Sequence, residues 1–392
     1  MNSHIMPTYA RQPISFVRGE GSYLYTEDGT AYLDALTGIA VCGLGHCHPA
    51  ITQAITEQAS SLVHTSNLFG IDWQEKAADK LCQAAGMQQV FFANSGAEAN
   101  ECALKIARLY AHNQGKAKPK VIVMENSFHG RTLLTVSATA NPKARAGFYT
   151  LDDEFVRVPF GEADAVAALS GDPDICAVLV EPIQGEGGLH TPPDDYLEKL
   201  SKICNDNNWL LMLDEVQTGN GRTGKYFAYQ YSSITPDVLT TAKGLGNGFP
   251  IGACMVNNKA VGLFGAGSHG STYGGTPLGS RVVCAVYDVL DEVIMDNART
   301  QGDTIRAHIV DKFGAQGVSA RGRGMMIGFA MPKEIDLTEA VNIARDQHHL
   351  IINVTGGNVI RLLPALNLSK QDTALLIDKM TDFLAGLFNQ SY

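Results

Sequence analysis

No apolar run in this sequence approaches the roughly 20 residues that a membrane-spanning helix needs. The longer ones, such as residues 175–180, are far shorter. An excess of positive charge is also missing: 30 Lys+Arg stand against 40 Asp+Glu, a formal net charge of −10 over 392 residues. That excludes the basic footprint of nucleic-acid binding and the polybasic segment of a membrane-surface protein. The eight cysteines form no C-x-x-C pair. Scattered thiols suit a reducing compartment better than a disulfide framework. "HCHP" at 46–49 has no second ligand cluster at zinc-like spacing, so it reads as a turn closed by Pro49, and no metal is expected. The opening MNSHIMPTYARQP lacks an apolar signal core. A cytoplasmic protein whose partners are small molecules or another subunit is expected.

What is abundant is glycine. Forty glycines cluster at 185–188, 219–224, 244–252 and 265–279. Such clusters mark tight turns where backbone approaches a ligand or other backbone. Between them the middle of the chain alternates short β-like runs with amphipathic stretches. Strands are expected at 90–94, 121–124, 177–181, 210–214, 238–241 and 253–256, and helices at 97–110 and 196–205. This alternation reads as an α/β fold, a mostly parallel sheet with helices on both faces. Residues 46–280 are expected to form a large domain. Residues 1–45 and 281–392 are expected to form a smaller α+β lobe from both chain ends. Ligands in such sheets sit at the carboxyl ends of strands.

The stretch LLMLDEVQTGNGRTGK at 210–225 carries three overlapping patterns. Gly219, Gly221 and Gly224 fit a dinucleotide turn, and Gly219 to Lys225 fits most of a phosphate loop. Tyr226 stands where a phosphate loop needs Ser or Thr, and the acid expected after a second strand, Asp237, precedes its strand. A nucleotide-binding enzyme built on Gly219–Lys225 is the reading from another class. The carboxylates Asp214 and Glu215 end an apolar strand, and alternation sends them to opposite sides. A buried carboxylate there needs a cationic partner, and a structural ion pair with a nearby arginine would also supply one. Lys243 ends another apolar strand beside Gly244, Gly246 and Gly248. Desolvation can make such a lysine an amine nucleophile, although a solvated loop lysine has the same local sequence. A nucleophilic lysine and an acid for a pyridinium nitrogen are two needs of pyridoxal phosphate (PLP). The third is a phosphate cradle. In "NSGAEAN", Ser95 and Gly96 follow a strand and a helix begins near Ala97, although Ser95 and Glu98 also make an ordinary capping box.

Taken in order, "NSGAEANE", "FHGRT", "EPIQGEGG", "DEVQTGNGRTG", "AKGLGNGFPIGA" and "GSHGSTYGG" resemble the class III, fold-type-I PLP aminotransferases over nearly the whole chain. The acetylornithine branch looks nearest, beside succinylornithine and ornithine enzymes. The resemblance implies that Lys243 bonds the cofactor and Asp214 holds its ring nitrogen. It implies Gln217 near the phenolic oxygen, Phe128 stacked on the ring, and Ser95, Gly96 and Ala97 around the phosphate. Thr272 would reach the phosphate of a neighbouring subunit in a homodimer, with Ser271 near substrate. Arg131 would bind the distal carboxylate of the amine donor. Arg361 would bind the α-carboxylate of glutamate or 2-oxoglutarate, masked by Glu186 when that carboxylate is absent. The implied reaction moves the terminal amino group of N2-acetyl-L-ornithine to 2-oxoglutarate in ping-pong fashion, in arginine metabolism. Succinylornithine, ornithine or 4-aminobutyrate are the alternative donors, and a non-catalytic PLP-fold regulator is a further reading. Asn247, Thr276, Cys42 and Gly43 depart from the pattern without touching Lys243 or Asp214.

Overall fold

The structure, a computed structural model, describes residues 4–390. Its central sheet has seven strands: β1 (Gln89–Ala93), β2 (Lys120–Met124), β3 (Phe155–Val158), β4 (Ile175–Val180), β5 (Leu210–Asp214), β6 (Val238–Thr241) and β7 (Gly252–Val256). The spatial order is β1-β7-β6-β5-β4-β2-β3. β3, β2, β4, β5 and β6 pair in parallel, and β7 runs antiparallel to both its neighbours. The expected strands are all present within two residues at each end. β3 is additional, because a four-residue strand at the sheet edge gives little periodic signal.

Every residue of β4 and β5 is buried. Such runs cannot alternate polar with apolar because both faces of the sheet are covered. Period two still sorts the side chains. Val121, Val123, Ala177, Leu179, Leu210 and Met212 pack with Cys102, Ala103 and Ile106 of the helix Gly96–Asn113. Ile122, Met124, Val178, Val180, Leu211 and Leu213 face the other way, toward Tyr196, Leu200 and Cys204 of the helix Tyr196–Asp206. Each fully buried Leu or Val contributes roughly 1.5–3 kcal/mol.

Two four-stranded sheets flank this core. In one, Arg18–Glu20, Tyr23–Tyr25 and Ala31–Asp34 form an antiparallel meander, and Leu350–Ile351 adds in parallel to Ala31–Asp34. In the other, Ser319–Arg323, Met326–Ala330, Val359–Leu362 and Asn353–Thr355 pair antiparallel in that order. Among the described residues no helix is long and apolar enough to cross a membrane.

Candidate active site

The carboxyl ends of β1, β2, β4, β5 and β6 share one edge of the sheet. Because β7 runs the other way, the segment entering it, residues 248–251, arrives at that edge too. Together they enclose a cavity of about 360 Å³, a volume suited to a small cofactor or ligand. Ser95, Gly96, Ala97, Phe128, Arg131, Glu186, Asp214, Gln217 and Lys243 all line it.

Asp214 shares the face of Leu210 and Met212, which points it beneath the helix Gly96–Asn113. There Asn100 Nδ2 donates to its Oδ2 at 2.8 Å, and His129 Nδ1 meets the same oxygen at 2.8 Å. The Val216 amide donates to Oδ1 at 3.0 Å. Glu215 points to the opposite face. Its carboxylate accepts from the Thr218 hydroxyl and from the amides of Ala228 and Tyr229, so it caps a short 3₁₀ turn. Burial pushes the Glu215 carboxyl up to about 7 against those three bonds. One carboxylate therefore serves the cavity and its neighbour serves the fold.

Lys243 lies in the left-handed region at φ 48°, a conformation costly for a lysine. Such strain persists where the surroundings over-determine it, commonly at functional sites. Burial brings its amine down to about 8; Glu186 opposes the shift and Arg361 adds to it. A lysine lowered this far carries a substantial neutral fraction near neutral pH, as a nucleophile or base requires.

Arg361 is fully buried on Val359–Leu362, with Gly328 and Asn353 opposite it on the adjacent strands. Its guanidinium bonds Glu186 Oε1 at 2.7 Å, Gln217 Oε1 at 3.2 Å and Asn353 Oδ1 at 3.0 Å. Gln217 in turn donates to Glu186 Oε1 at 3.2 Å. Burial alone would raise the Glu186 carboxyl, but Arg361, with Lys243 and Gln217, holds it below the ordinary value. Gly185 is required beside this cluster, since a Cβ there would stand 2.3 Å from Gln217 Oε1. Arg131 differs. It is exposed, sits 5.4 Å from the centroid of the Phe128 ring, and has no carboxylate partner among the described residues. The site thus presents one masked arginine and one open arginine.

The donor set fits PLP. The helix Gly96–Asn113 starts at the cavity, and first-turn amides have no intrahelical acceptors. Ser95 Oγ takes the Glu98 amide at 3.2 Å, leaving the Gly96 and Ala97 amides at the cavity wall. Glu98 reaches back to the Asn94 amide at 2.6 Å rather than to the Ser95 amide, so Ser95 caps the helix but the reciprocal half of the capping box is displaced by one residue. A Cβ on Gly96 would lie 2.6 Å from Val216, and one on Gly130 would lie 2.5 Å from Thr135 Oγ1. Bare backbone at these two points lets the cavity wall pack closely on Val216 and Thr135.

Ser271 and Thr272 do not line this cavity. Ser271 Oγ accepts from Asn94 Nδ2 at 3.1 Å, and both residues border a separate groove near His269. The glycine turn 219–225 is no anion site. The amides of all three motif glycines are consumed internally, Gly219 by Glu215 O, Gly221 by Tyr226 O and Gly224 by Gly221 O. Its glycines pack against protein, with a Cβ on Gly224 only 2.2 Å from Arg299.

Two of the four residues that departed from the pattern, Asn247 and Thr276, have local explanations. Asn247 occupies φ 44°, which asparagine tolerates, and its side chain bonds the backbone of Leu44 and Gly45. Thr276 caps the helix Pro277–Val289 through the Gly279 amide.

Sequence reasoning missed His129, Asn100 and Glu181. Glu181 bonds the amides of Phe128 and Gly185, and burial pushes its carboxyl up to about 7, against His129 and with Asp214. Its signal was available, because it directly follows β4, much as Asp214 closes β5. His129 and Asn100 had none beyond lying in the motifs.

With this geometry in place, comparison with known proteins is specific. A family model described as aminotransferase class-III matches residues 5–384. Acetylornithine aminotransferase of Nitrosomonas europaea is 49% identical over 383 residues, covering 97% of each chain. The crystal structure of acetylornithine aminotransferase from Elizabethkingia anophelis aligns with a TM-score of 0.87 at 33% identity, over 98% of this chain and 96% of that one. An ornithine aminotransferase from Toxoplasma gondii, described with partial occupancy of PLP at its active site, aligns at 0.95 and 30% identity, over 99% of this chain and 93% of that one.

Proposed function

From the premise that this chain belongs to the class III aminotransferases, which are PLP-dependent, we propose that it transfers the terminal amino group of N2-acetyl-L-ornithine to 2-oxoglutarate, giving N-acetyl-glutamate 5-semialdehyde and glutamate. The observation that carries this reading is the pair of arginines on one cavity, Arg361 masked by Glu186 at 2.7 Å and Arg131 unmasked. The bound cofactor supplies an aldehyde that accepts the amino group and a ring that draws electron density from the reacting carbon.

The protein's own residues do the rest. Asp214, fixed by His129 and Asn100, would hold a proton on the ring nitrogen. Ser95, Gly96 and Ala97 would bind the phosphate at the helix N-terminus. Phe128 would pack on the ring and Gln217 would bond the phenolic oxygen. Lys243 Nζ would take the proton from the substrate carbon and return it, as base and then acid. N-acetylornithine carries its carboxylate far from the reacting amine, so Arg131 would bind it while Glu186 keeps Arg361 neutralised. 2-Oxoglutarate carries a carboxylate beside the reacting carbon, so Glu186 must yield Arg361 to it. Masking is worthwhile because a lone buried guanidinium is costly. Arginine's planar fork also suits a carboxylate better than an ammonium does.

A homodimer completes the proposal. Thr272 lies outside its own chain's cavity, Tyr273 beside it is exposed, and so are Leu68 and Phe69, which follow Asn67, whose Nδ2 donates to Ser271 O at 3.1 Å. Thr272 would then contact the phosphate in the neighbouring subunit, with Ser271 near that subunit's substrate.

The test is a half-reaction. Purified holoenzyme is mixed with N-acetylornithine, succinylornithine, ornithine or 4-aminobutyrate without keto acid, and the cofactor absorbance is followed. Fast bleaching by N-acetylornithine is expected. Faster bleaching by another of these amines would keep the family and move the substrate.

A further inference from the structure

Thr37, Gly38, Ile39 and Ala40 follow the strand Ala31–Asp34 with φ of 48°, 67°, 66° and 62°. Four successive left-handed residues make a turn that L residues avoid, and Thr37 and Ile39 are β-branched. It persists because bonds hold it from several sides. Asp34, 1% exposed, accepts the amides of Leu36 and Thr37 on Oδ1 at 2.9 and 2.8 Å. Its Oδ2 meets His46 Nε2 at 2.7 Å.

The segment is tied at two further places. The Thr37 hydroxyl donates to Leu363 O at 2.6 Å, and the Leu363 amide donates to Ala35 O at 2.6 Å. The Leu366 amide donates to Gly43 O at 2.7 Å. On the other side, Asn247 Oδ1 accepts the Leu44 amide at 2.8 Å and its Nδ2 donates to Gly45 O at 3.1 Å. Leu363 stands two residues after Arg361, and Asn247 four residues after Lys243. Val41, midway along the segment, lines the cavity. One strained stretch thus joins the loop of the lysine to the strand of the masked arginine.

We propose that residues 34–46 are a strap that sets Arg361 relative to Lys243, with Thr37 as the positioning residue for the arginine strand. This rests on the aminotransferase reading, which gives Arg361 the carboxylate beside the reacting carbon. The strap matters in the keto-acid half-reaction, where Arg361 binds substrate. The half-reaction of N-acetylornithine, held at Arg131, does not depend on it.

The test compares Thr37→Val, which keeps the shape and loses the hydroxyl, with Thr37→Ser, which keeps the hydroxyl. On each holoenzyme the two half-reactions are timed separately. Binding of glutarate, an unreactive dicarboxylate, is measured by calorimetry. Thr37→Val should raise both the 2-oxoglutarate KM and the glutarate Kd about threefold to tenfold, the worth of one hydrogen bond. The N-acetylornithine half-reaction should stay within about twofold, and Thr37→Ser should restore the keto-acid side. Equal losses in both half-reactions, unchanged glutarate binding, or a serine variant as impaired as the valine one would overturn the strap. If Thr37→Val does not fold, Asp34→Asn, which keeps the acceptor for the two amides and loses the charge facing His46, must show the same split. A wild-type protein inert toward every amine donor would sink the functional reading instead, and glutarate binding would still judge the strap.

Discussion

Lys243 shows how one residue's surroundings set its chemistry. Burial takes its amine from 10.5 to about 8. Only the neutral amine attacks a carbonyl, so capture of PLP by the apoprotein should speed up about tenfold per pH unit up to about 8 and then level off. Stopped-flow absorbance checks this, and a profile still climbing at pH 10 would mean that Lys243 is not desolvated. Glu186→Gln tests the mask. Arg361 would lose its counter-charge, so 2-oxoglutarate should bind about threefold to tenfold more tightly and glutamate should compete better as a donor. The same variant should lose roughly 1–3 kcal/mol of stability, because the buried guanidinium is left poorly paired. Steady-state kinetics with both donors and a urea titration read the two effects. That Asp214 and Glu215 diverge was legible in the sequence, because alternation is local. Which of them faced the cavity was not, because that depends on which side of β5 the helix Gly96–Asn113 packs.

At the scale of elements, the helix Gly96–Asn113 does two jobs at one end. Ser95 caps it, and its first amides face the cavity. Ser95→Ala should cost about 1 kcal/mol of stability through the lost cap. Gly96→Val should act differently. Its Cβ would collide with Val216 at 2.6 Å, so the helix start must shift and PLP should bind about tenfold or more weakly. Urea titration reads the lost cap, and equilibrium titration of the apoproteins with PLP reads the shifted helix start. The turn after Ala31–Asp34 carries a pH signature as well. The hydrogen bond to Asp34, then that to Cys42, lifts His46 from 6.5 to about 10 against the cost of burial. A histidine raised in the folded state contributes stability that is full below its unfolded pKa and lost as pH rises through its folded one. The Tm gap between wild type and His46→Gln should be widest below pH 6.5 and close toward pH 10. A gap independent of pH would mean that the pair is not charged.

At the scale of the whole molecule, the proposed site is shared between subunits, and this can be tested without a structure of the complex. Lys243→Ala removes the lysine from a subunit's own site, and Thr272→Ala removes the threonine lent to its neighbour. A hybrid dimer of the two variants contains one intact site. Refolding an equal mixture should therefore restore activity to about one quarter of wild type, since half the dimers are hybrids with one working site of two. No gain on mixing, with dimers confirmed by sedimentation, would place Thr272 outside its neighbour's site.

Local sequence determined the strand ends, the glycine turns behind them, and the chemical types waiting there. Strand periodicity and glycine's freedom act over a few residues, so the helix start at Ser95, Asp214 at its strand end and Lys243 beside its glycines could be read in order along the chain. Tertiary structure alone decided which of these ends meet. His129 is 85 residues from Asp214, Asn100 is 114 away, and Glu186 finds Arg361 across 175. The reversal of β7 brings a sixth loop to the cavity, and the left-handed turn at 37–40 is held by partners at 34, 46 and 363. Those meetings follow from sheet order and helix packing, and no stretch of a few residues encodes them.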